Sequence, residues 1–351
     1  MESTVALEKE TSSEGWREIV RKYQRPSLSR AVWQLVNSVG GYLAVWGLMF
    51  WSLSVSLWLT AALTILAGGL LVRIFIIFHD CGHGSFFKTR TANDVTGFLT
   101  GVLTFTPYSL WRKEHALHHS TAADLDHRGT GDVPTMTVEE YLAASRWKKL
   151  GYRFVRNPVI LFGLIPMAMF LVKHRLPHSN EASPGERRSV HWTNLALLGL
   201  IVGMSFIFGL VPYLVLQIAV IAVAGGLGTW LFYVQHQFEG VYWEREEEWD
   251  FAEAAFKGSS FYKLPRVLQW FSGNIGFHHI HHLSPRIPNY NLERCHYAEP
   301  LFQTVSSISL LGSLKCMTYR LWDERGRKLV GFDHLRGVKV PSPLPAPVSP
   351  L

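Results

Sequence analysis

The stretch Leu70-Leu71-Val72-Arg73-Ile74-Phe75-Ile76-Ile77-Phe78-His79-Asp80-Cys81-Gly82-His83 runs without a break from apolar residues into two histidines spaced four apart. Its first half reads as the end of a helix inside a bilayer. Its second half reads as a ligand face, because residues i and i+4 project from one side of a helix. The rest of the 351-residue chain repeats these two themes on either side.

A spanning helix needs about 20 mostly apolar residues. Four segments qualify: Ala31–Trp51, Leu53–Phe78, Trp192–Leu210 and Tyr213–Val234, arranged as two hairpins with turns near Ser52 and Gly209–Pro212. Two shorter apolar stretches, Gly97–Leu110 and Val159–Val172, contain Pro107 and Pro166 and suit interfacial or re-entrant segments. A composition that is 48% hydrophobic and only 17% charged agrees with a membrane protein. The basic residues set the sidedness. Six Lys and Arg precede the first hairpin, Arg73 lies in the second span, fourteen fall between His79 and His191, thirteen follow Val234, and neither hairpin turn has any.

The positive-inside rule then puts both termini and the central loop in the cytoplasm. Arg73 lies near the cytoplasmic end of its span, where its side chain can snorkel to the interface. Had Val159–Val172 crossed fully, the histidines after the fourth span would face the opposite side from those before it. The expected fold is therefore an all-α integral membrane protein with four transmembrane helices in two hairpins and a cytoplasmic helical cap. Residues 1–30 form a cytoplasmic N-terminal segment, 31–300 the membrane domain, and 301–351 a cytoplasmic C-terminal segment ending in the proline-rich tail Pro341–Leu351.

Other features narrow the function. Three cysteines, Cys81, Cys295 and Cys316, make neither a disulfide framework nor a CxxC site. The polar stretch Met1–Trp16 has no apolar core, so no cleavable signal peptide is expected. The basic run Arg17–Arg30 either lies on an anionic membrane surface or is ordinary flanking charge. The acidic run Glu244–Asp250 reads as a solvated face. Membrane lipid, not nucleic acid, is the expected setting of the basic charge.

Sixteen histidines are the compositional excess. Most gather in three clusters: His79-Asp80-Cys81-Gly82-His83, His115-Ala116-Leu117-His118-His119 and His278-His279-Ile280-His281-His282. On helices, His79 with His83, His115 with His118 and His119, and His278 with His281 and His282 would each share a face. Chance would place about 0.03 copies of HxxHH in a chain of this composition, and two occur. Eight clustered imidazoles exceed the needs of one zinc and suit two metals, each with an open position. Iron is the natural choice for oxygen chemistry, although imidazole alone does not exclude zinc or copper.

His236, at the end of the fourth span, is either a ninth ligand or an interfacial polar residue. His279 points off the shared face and is expected to support a ligand or meet solvent. Asp80, Glu114, Asp124, Asp126 and Asp132 are candidate acceptors for ligand N–H groups, and Asn274 is a further polar candidate. A soluble carboxylate di-iron site would need two ExxH motifs, and only Glu293–His296 is present.

At these residues the chain resembles the membrane fatty acid desaturases, whose hallmark is the series HxxxH, HxxHH and (H/Q)xxHH. The resemblance runs from about Val39 to His296. The first box with its flank, His79 to Phe86, is similar to that of acyl-lipid methyl-end (delta-12-like) desaturases. His278 at the head of the third box, and the lack of an HPGG haem motif, argue against front-end members. One departure is Phe232, where some acyl-CoA desaturases carry an asparagine four residues before the histidine matching His236.

The resemblance implies a fatty acyl desaturase that places a cis double bond in an acyl chain. It would use dioxygen, two electrons and two iron ions, cycling between Fe2+ and Fe3+, with His79, His83, His115, His118, His119, His236, His278, His281 and His282 as ligands. No flavin, haem or cysteine-cluster motif is present, so an external donor, a ferredoxin or a cytochrome b5, is expected. The implied location is multi-pass in a membrane such as the bacterial inner membrane, with the active site on the cytoplasmic side. A membrane hydroxylase or ketolase acting on a lipid or carotenoid would use the same ligands. A metal transporter would carry ligands near the bilayer midplane, and the four spans hold no histidine.

Overall fold

The computed structural model describes residues 15–129, 131–177 and 182–337. The proline-rich tail, residues 1–14 and His178 lie outside them. A short helix over residues 15–23 (α1) leads into α2 (Leu28–Ser52) and α3 (Leu57–Gly82), an antiparallel pair. Its tight turn is held where Ser52 Oγ and Thr60 Oγ1 meet at 2.8 Å. α4 (Arg90–Leu103) and α5 (Tyr108–Thr121) follow, the break between them falling at Pro107, which cannot continue the first helix. Short α6 (Val138–Ala143) and α7 (Arg146–Val155) come next, then a π-helical turn, Ile160–Leu164, that runs into α8 (Ile165–Leu171).

The second hairpin is α9 (Pro184–Phe208) and α10 (Leu210–His236), hinged at Gly209, whose φ of 81° suits a residue without a Cβ. α9 starts at a capping box, Ser183 with Glu186, and Pro184 takes the first helical position. Beyond α10 lie α11 (Phe251–Lys257), α12 (Arg266–Phe271), α13 (His278–Leu283) and α14 (Asn289–His296). The structure adds something an all-α reading does not contain. Strands of two or three residues pair 136–137 with 321–323 and 261–263 with 307–309, tying the C-terminal segment to the body.

α3, α9 and α10 are each long and apolar enough to cross a membrane. The 26 residues of α3 rise about 39 Å, more than the roughly 30 Å hydrocarbon core. α2 has matching length, but its mean hydropathy is lowered by Gln34, Ser38 and Ser52, which are buried toward the protein while Trp33, Val36 and Leu43 face outward. A fourth candidate is the pair formed by α7 and residues 160–175, bent by 64°.

The N-terminal part of α9 packs on α5, where Ser109 N donates to Ser189 Oγ at 3.0 Å. Arg73 differs from its expected snorkelling. It is buried, donating from Nε to Ser38 Oγ at 3.0 Å and from Nη1 to the Trp270 carbonyl, with its guanidinium 4.0 Å from the Trp270 ring.

α3 is the hub of the bundle, and its approach to α10 depends on Gly68. A Cβ there would lie 2.4 Å from Val223 Cγ1 and 3.3 Å from the Ala224 nitrogen. Overpacking of this kind costs about 1–3 kcal/mol. Gly68→Leu should lower the thermal midpoint in detergent by several degrees, whereas Gly40→Leu, at a position with open space around it, should leave it unchanged.

Candidate metal centre

The three histidine clusters sit on helices that end at one point. His79 is in the last turn of α3 and His83 caps it, His115, His118 and His119 lie on α5, and His278, His281 and His282 lie on α13. α10 delivers His236 in its last turn. The ligand atoms form two groups. His79, His83, His115, His119 and His281 place theirs within 4.8 Å of one another, and so do His118, His236 and His282. His278 adjoins the second group, its Nε2 lying 2.9 Å from His236 Nε2 and 3.1 Å from His282 Nε2. Contacts between His119 and His281 and between His115 and His119 are alike, at 2.9 and 3.1 Å.

Second partners fix which nitrogen faces inward. His79 Nδ1–H donates to Asp80 Oδ1 at 3.1 Å, His118 Nδ1–H to Asp132 Oδ1 at 2.7 Å, and His236 Nδ1–H to the Gly258 carbonyl at 3.3 Å. Each leaves Nε2 with a lone pair directed into the cluster. Asp80 is itself anchored, its Oδ2 accepting from the backbone and side-chain nitrogens of Asn289 at 2.6 and 2.8 Å. Asn289 in turn accepts from Gln34 on α2 at 3.0 Å. Trp111 stacks on His115 with ring centres 4.4 Å apart, and Phe232 lies 5.2 Å from His118 and 5.0 Å from His236.

Residues 56–305 match the family model described as fatty acid desaturase. The chain belongs to the fatty acid desaturase family. It is 47% identical to a fatty acid desaturase of Bacillus subtilis (strain 168) over 93% of each chain. It is 29% identical to the sn-1 oleoyl-lipid 12-desaturase of Synechocystis, over 73% of this chain and 70% of that one. The sn-1 acyl-lipid omega-3 desaturase (ferredoxin) of the same organism is 28% identical over 66% of this chain and 64% of its own.

The donor set of this desaturase suits metal ions. His83 Nε2 and His118 Nε2 are buried and have no hydrogen-bond partner. Two nitrogens about 2.1 Å from one ion and at right angles to each other are about 3.0 Å apart, the spacing that the Nε2 contacts already have. An imidazole whose Nδ1 carries the proton has only a lone pair at Nε2, so the convergent Nε2 atoms call for a cation at their centre.

Burial, and then the neighbouring imidazoles, hold His83, His115, His119, His278, His281 and His282 well below the usual histidine range. These groups are neutral and free to ligate at pH 7. Because the folded values are depressed, the unfolded chain takes up protons first as pH falls below about 6.5, so the stabilisation is full above that value and lost beneath it. Metal affinity falls in the same direction, since ligands must be deprotonated. Metal retained after gel filtration should be constant from pH 8 to 7 and should drop steeply between pH 6 and 5.

Other expectations are redistributed. Asp124 accepts from His127 Nδ1–H at 2.8 Å, Asp126 pairs with Arg245 at 2.5 Å and Glu114 with Lys173 at 4.0 Å, so of the five carboxylates Asp80 and Asp132 are the ones bonded to box histidines. Asn274 is not on the box helix. It sits in a turn at φ 60°, donating to the Asn289 carbonyl at 3.1 Å. His279 is neither exposed nor bonded to a ligand. It is buried 3.0 Å from His296 Nδ1, and burial pushes the pair down to about 3 and about 4.

Sequence reasoning missed Arg156. Fully buried, it donates to the Pro134 carbonyl at 3.2 Å, Gln237 Oε1 at 3.0 Å and the Tyr319 carbonyl at 2.8 Å, and Gln237 donates on to Thr135 Oγ1 at 3.2 Å. The network joins the loop carrying Asp132 to the end of α10, and so supports His118 and His236 together. Arg156→Gln should lower the chain's metal content, with the loss confined to the group of His118, His236 and His282, as metal analysis of the variant beside the unaltered protein would report.

Proposed function

We propose that this desaturase inserts a cis double bond into an acyl chain of a membrane lipid, with His79, His83, His115, His119 and His281 holding one iron ion and His118, His236, His278 and His282 a second. The observation that carries this reading is the pair of buried imidazole groups at the end of an apolar helical bundle. The cyanobacterial relatives act on sn-1 acyl lipids, which favours a lipid-borne chain as substrate. When bound, the irons would activate dioxygen, the oxidant that unactivated methylene groups require. The overall change is balanced: –CH2–CH2–, O2, two electrons and two protons give –CH=CH– and two waters. A relative named for ferredoxin supports a separate iron–sulfur donor.

The chain's own residues bind, orient and exclude water. Asp80, Asp132 and the Gly258 carbonyl hold the Nδ1 protons, so ligand rings cannot rotate away. Phe75 lies 5.6 Å from Trp111 and 6.3 Å from Phe170, and Phe78 lies 4.7 Å from Trp111. This aromatic wall, between α3, α5 and α8, would hold the acyl tail against His115 and keep the reacting carbons dry. The proposed topology has four spans, α2, α3, α9 and α10, with the bent α7–α8 unit re-entrant and the histidines on the cytoplasmic side. Its support is the common side on which the boxes lie and the absence of Lys and Arg from both hairpin turns.

Expression in a host of known lipid composition, with mass spectrometry locating the new double bond, tests the activity. A hydroxyl or keto group in place of a double bond would overturn it. His118→Ala and His281→Ala should each abolish product and lower iron below about two per chain. His334→Ala, which removes a partner 3.3 Å from Asp323 far from the cluster, should change neither.

A further inference from the structure

We propose that the outer face of α1, with Arg286 and Arg294, is the docking surface for an acidic one-electron carrier protein. The inference rests on the desaturase reading, which requires two electrons per turnover from outside the chain. α1 lies over the third box. Trp16 and Val20 pack with Ile280, Leu283 and Leu292, Gln24 Nε2 donates to Ser284 Oγ at 2.9 Å, and Asn291 Nδ2 donates to the Tyr23 carbonyl at 3.0 Å. A single layer of side chains thus separates this face from the helix that carries His278, His281 and His282. Arg17, Arg21 and Lys22 are exposed on it, as are Arg25 just after it and Arg286 and Arg294 beside it, against the carboxylates of Glu18 and Glu293.

The class of partner follows from a contrast with α7. That helix is more basic still, with Arg146, Lys148, Lys149 and Arg153, but it turns Trp147, Leu150 and Phe154 outward at 82%, 59% and 59% exposure. Outward apolar residues flanked by cations are the pattern of a helix lying on lipid. α1 keeps its apolar residues for the protein beneath, Trp16 being 6% and Val20 3% exposed. It offers charge with no apolar wedge. Such a face steers an acidic protein into place, and gives a bilayer nothing to grip once salt screens the charge. Two successive encounters deliver the two electrons.

The test uses the full-length protein in nanodiscs and a purified acidic [2Fe–2S] ferredoxin as the probe, with binding followed against NaCl concentration. Replacing Arg17, Arg21 and Lys22 together by Gln should weaken binding about 10-fold at low salt and flatten its salt dependence. Arg286→Gln with Arg294→Gln should weaken it less, and neutralising the four α7 cations should leave it unchanged. Iron content, and the product of a single turnover when dithionite-reduced and desalted protein is mixed with O2, should stay at the unaltered level in all three variants. Should the α1 variant lose iron, the Arg286/Arg294 variant decides, weaker binding with full iron supporting the proposal and unchanged binding overturning it.

Unchanged binding in both surface variants overturns it too, as does loss of binding in the α7 variant. So does an α1 defect confined to nanodiscs containing anionic lipid, which would make α1 a membrane-surface helix. A protein that binds ferredoxin through α1 yet forms no double bond with any reductant would leave the docking surface standing and remove the desaturase reading.

Discussion

Everything in this molecule depends on keeping the Nε2 lone pairs of buried histidines pointed at common centres. Lone pairs 2.9–3.1 Å apart repel unless a cation or a shared proton lies between them. Burial then removes the water that would otherwise separate them. The arrangement persists because the other nitrogen of key rings is tied elsewhere, to Asp80, Asp132 and the Gly258 carbonyl. These acceptors are as necessary as the ligands, for a ring free to turn would present N–H to a metal instead of a lone pair.

The helical layer exists to hold those acceptors and ligands in register. α3 brings His79 and Asp80, α10 brings His236, and their closeness at Gly68 leaves little play between the two ends. The cap is fastened to the same helices. Asn289 on α14 joins Asp80 on α3 to Gln34 on α2, and Arg156 joins the Asp132 loop to α10. The bonds to Asp80 and Gln237 end one residue from His79 and His236, so bundle packing and ligand geometry are one problem.

How much of this could be read from the chain alone follows from the range of each interaction. The box helices were legible because i, i+3 and i+4 spacing is local, and the apolar spans because hydropathy is additive along a segment. His236 was legible as a candidate from its place at a span end. Asp80, adjacent to His79, was easy to name, but Asp132 could be sorted from Asp124 and Asp126 only by a loop path that no pattern encodes. His279 with His296, and Arg156 with Gln237, are contacts between segments 17 and 81 residues apart, beyond any periodic signal. α2 reads as less apolar than its neighbours because its polar side chains are spent inside the protein, a fact that composition records without its direction.

The buried cations show why the ligand set works with so few carboxylates. Arg73 and Arg156 lie inside the fold, where an arginine would ordinarily seek an acid. Their hydrogen bonds go instead to hydroxyl, amide and carbonyl oxygens: Ser38 and Trp270 for Arg73, and Pro134, Gln237 and Tyr319 for Arg156. Had either guanidinium claimed Asp80 or Asp132, it would have withdrawn the acceptor from an imidazole Nδ1–H and weakened the lone pair on the far nitrogen. Bonding both arginines to neutral oxygens leaves the two carboxylates to the histidines. Asp80 and Asp132 then meet the histidine groups through an Nδ1–H and not through the Nε2 side, which keeps the inward face of each group to imidazole nitrogen alone.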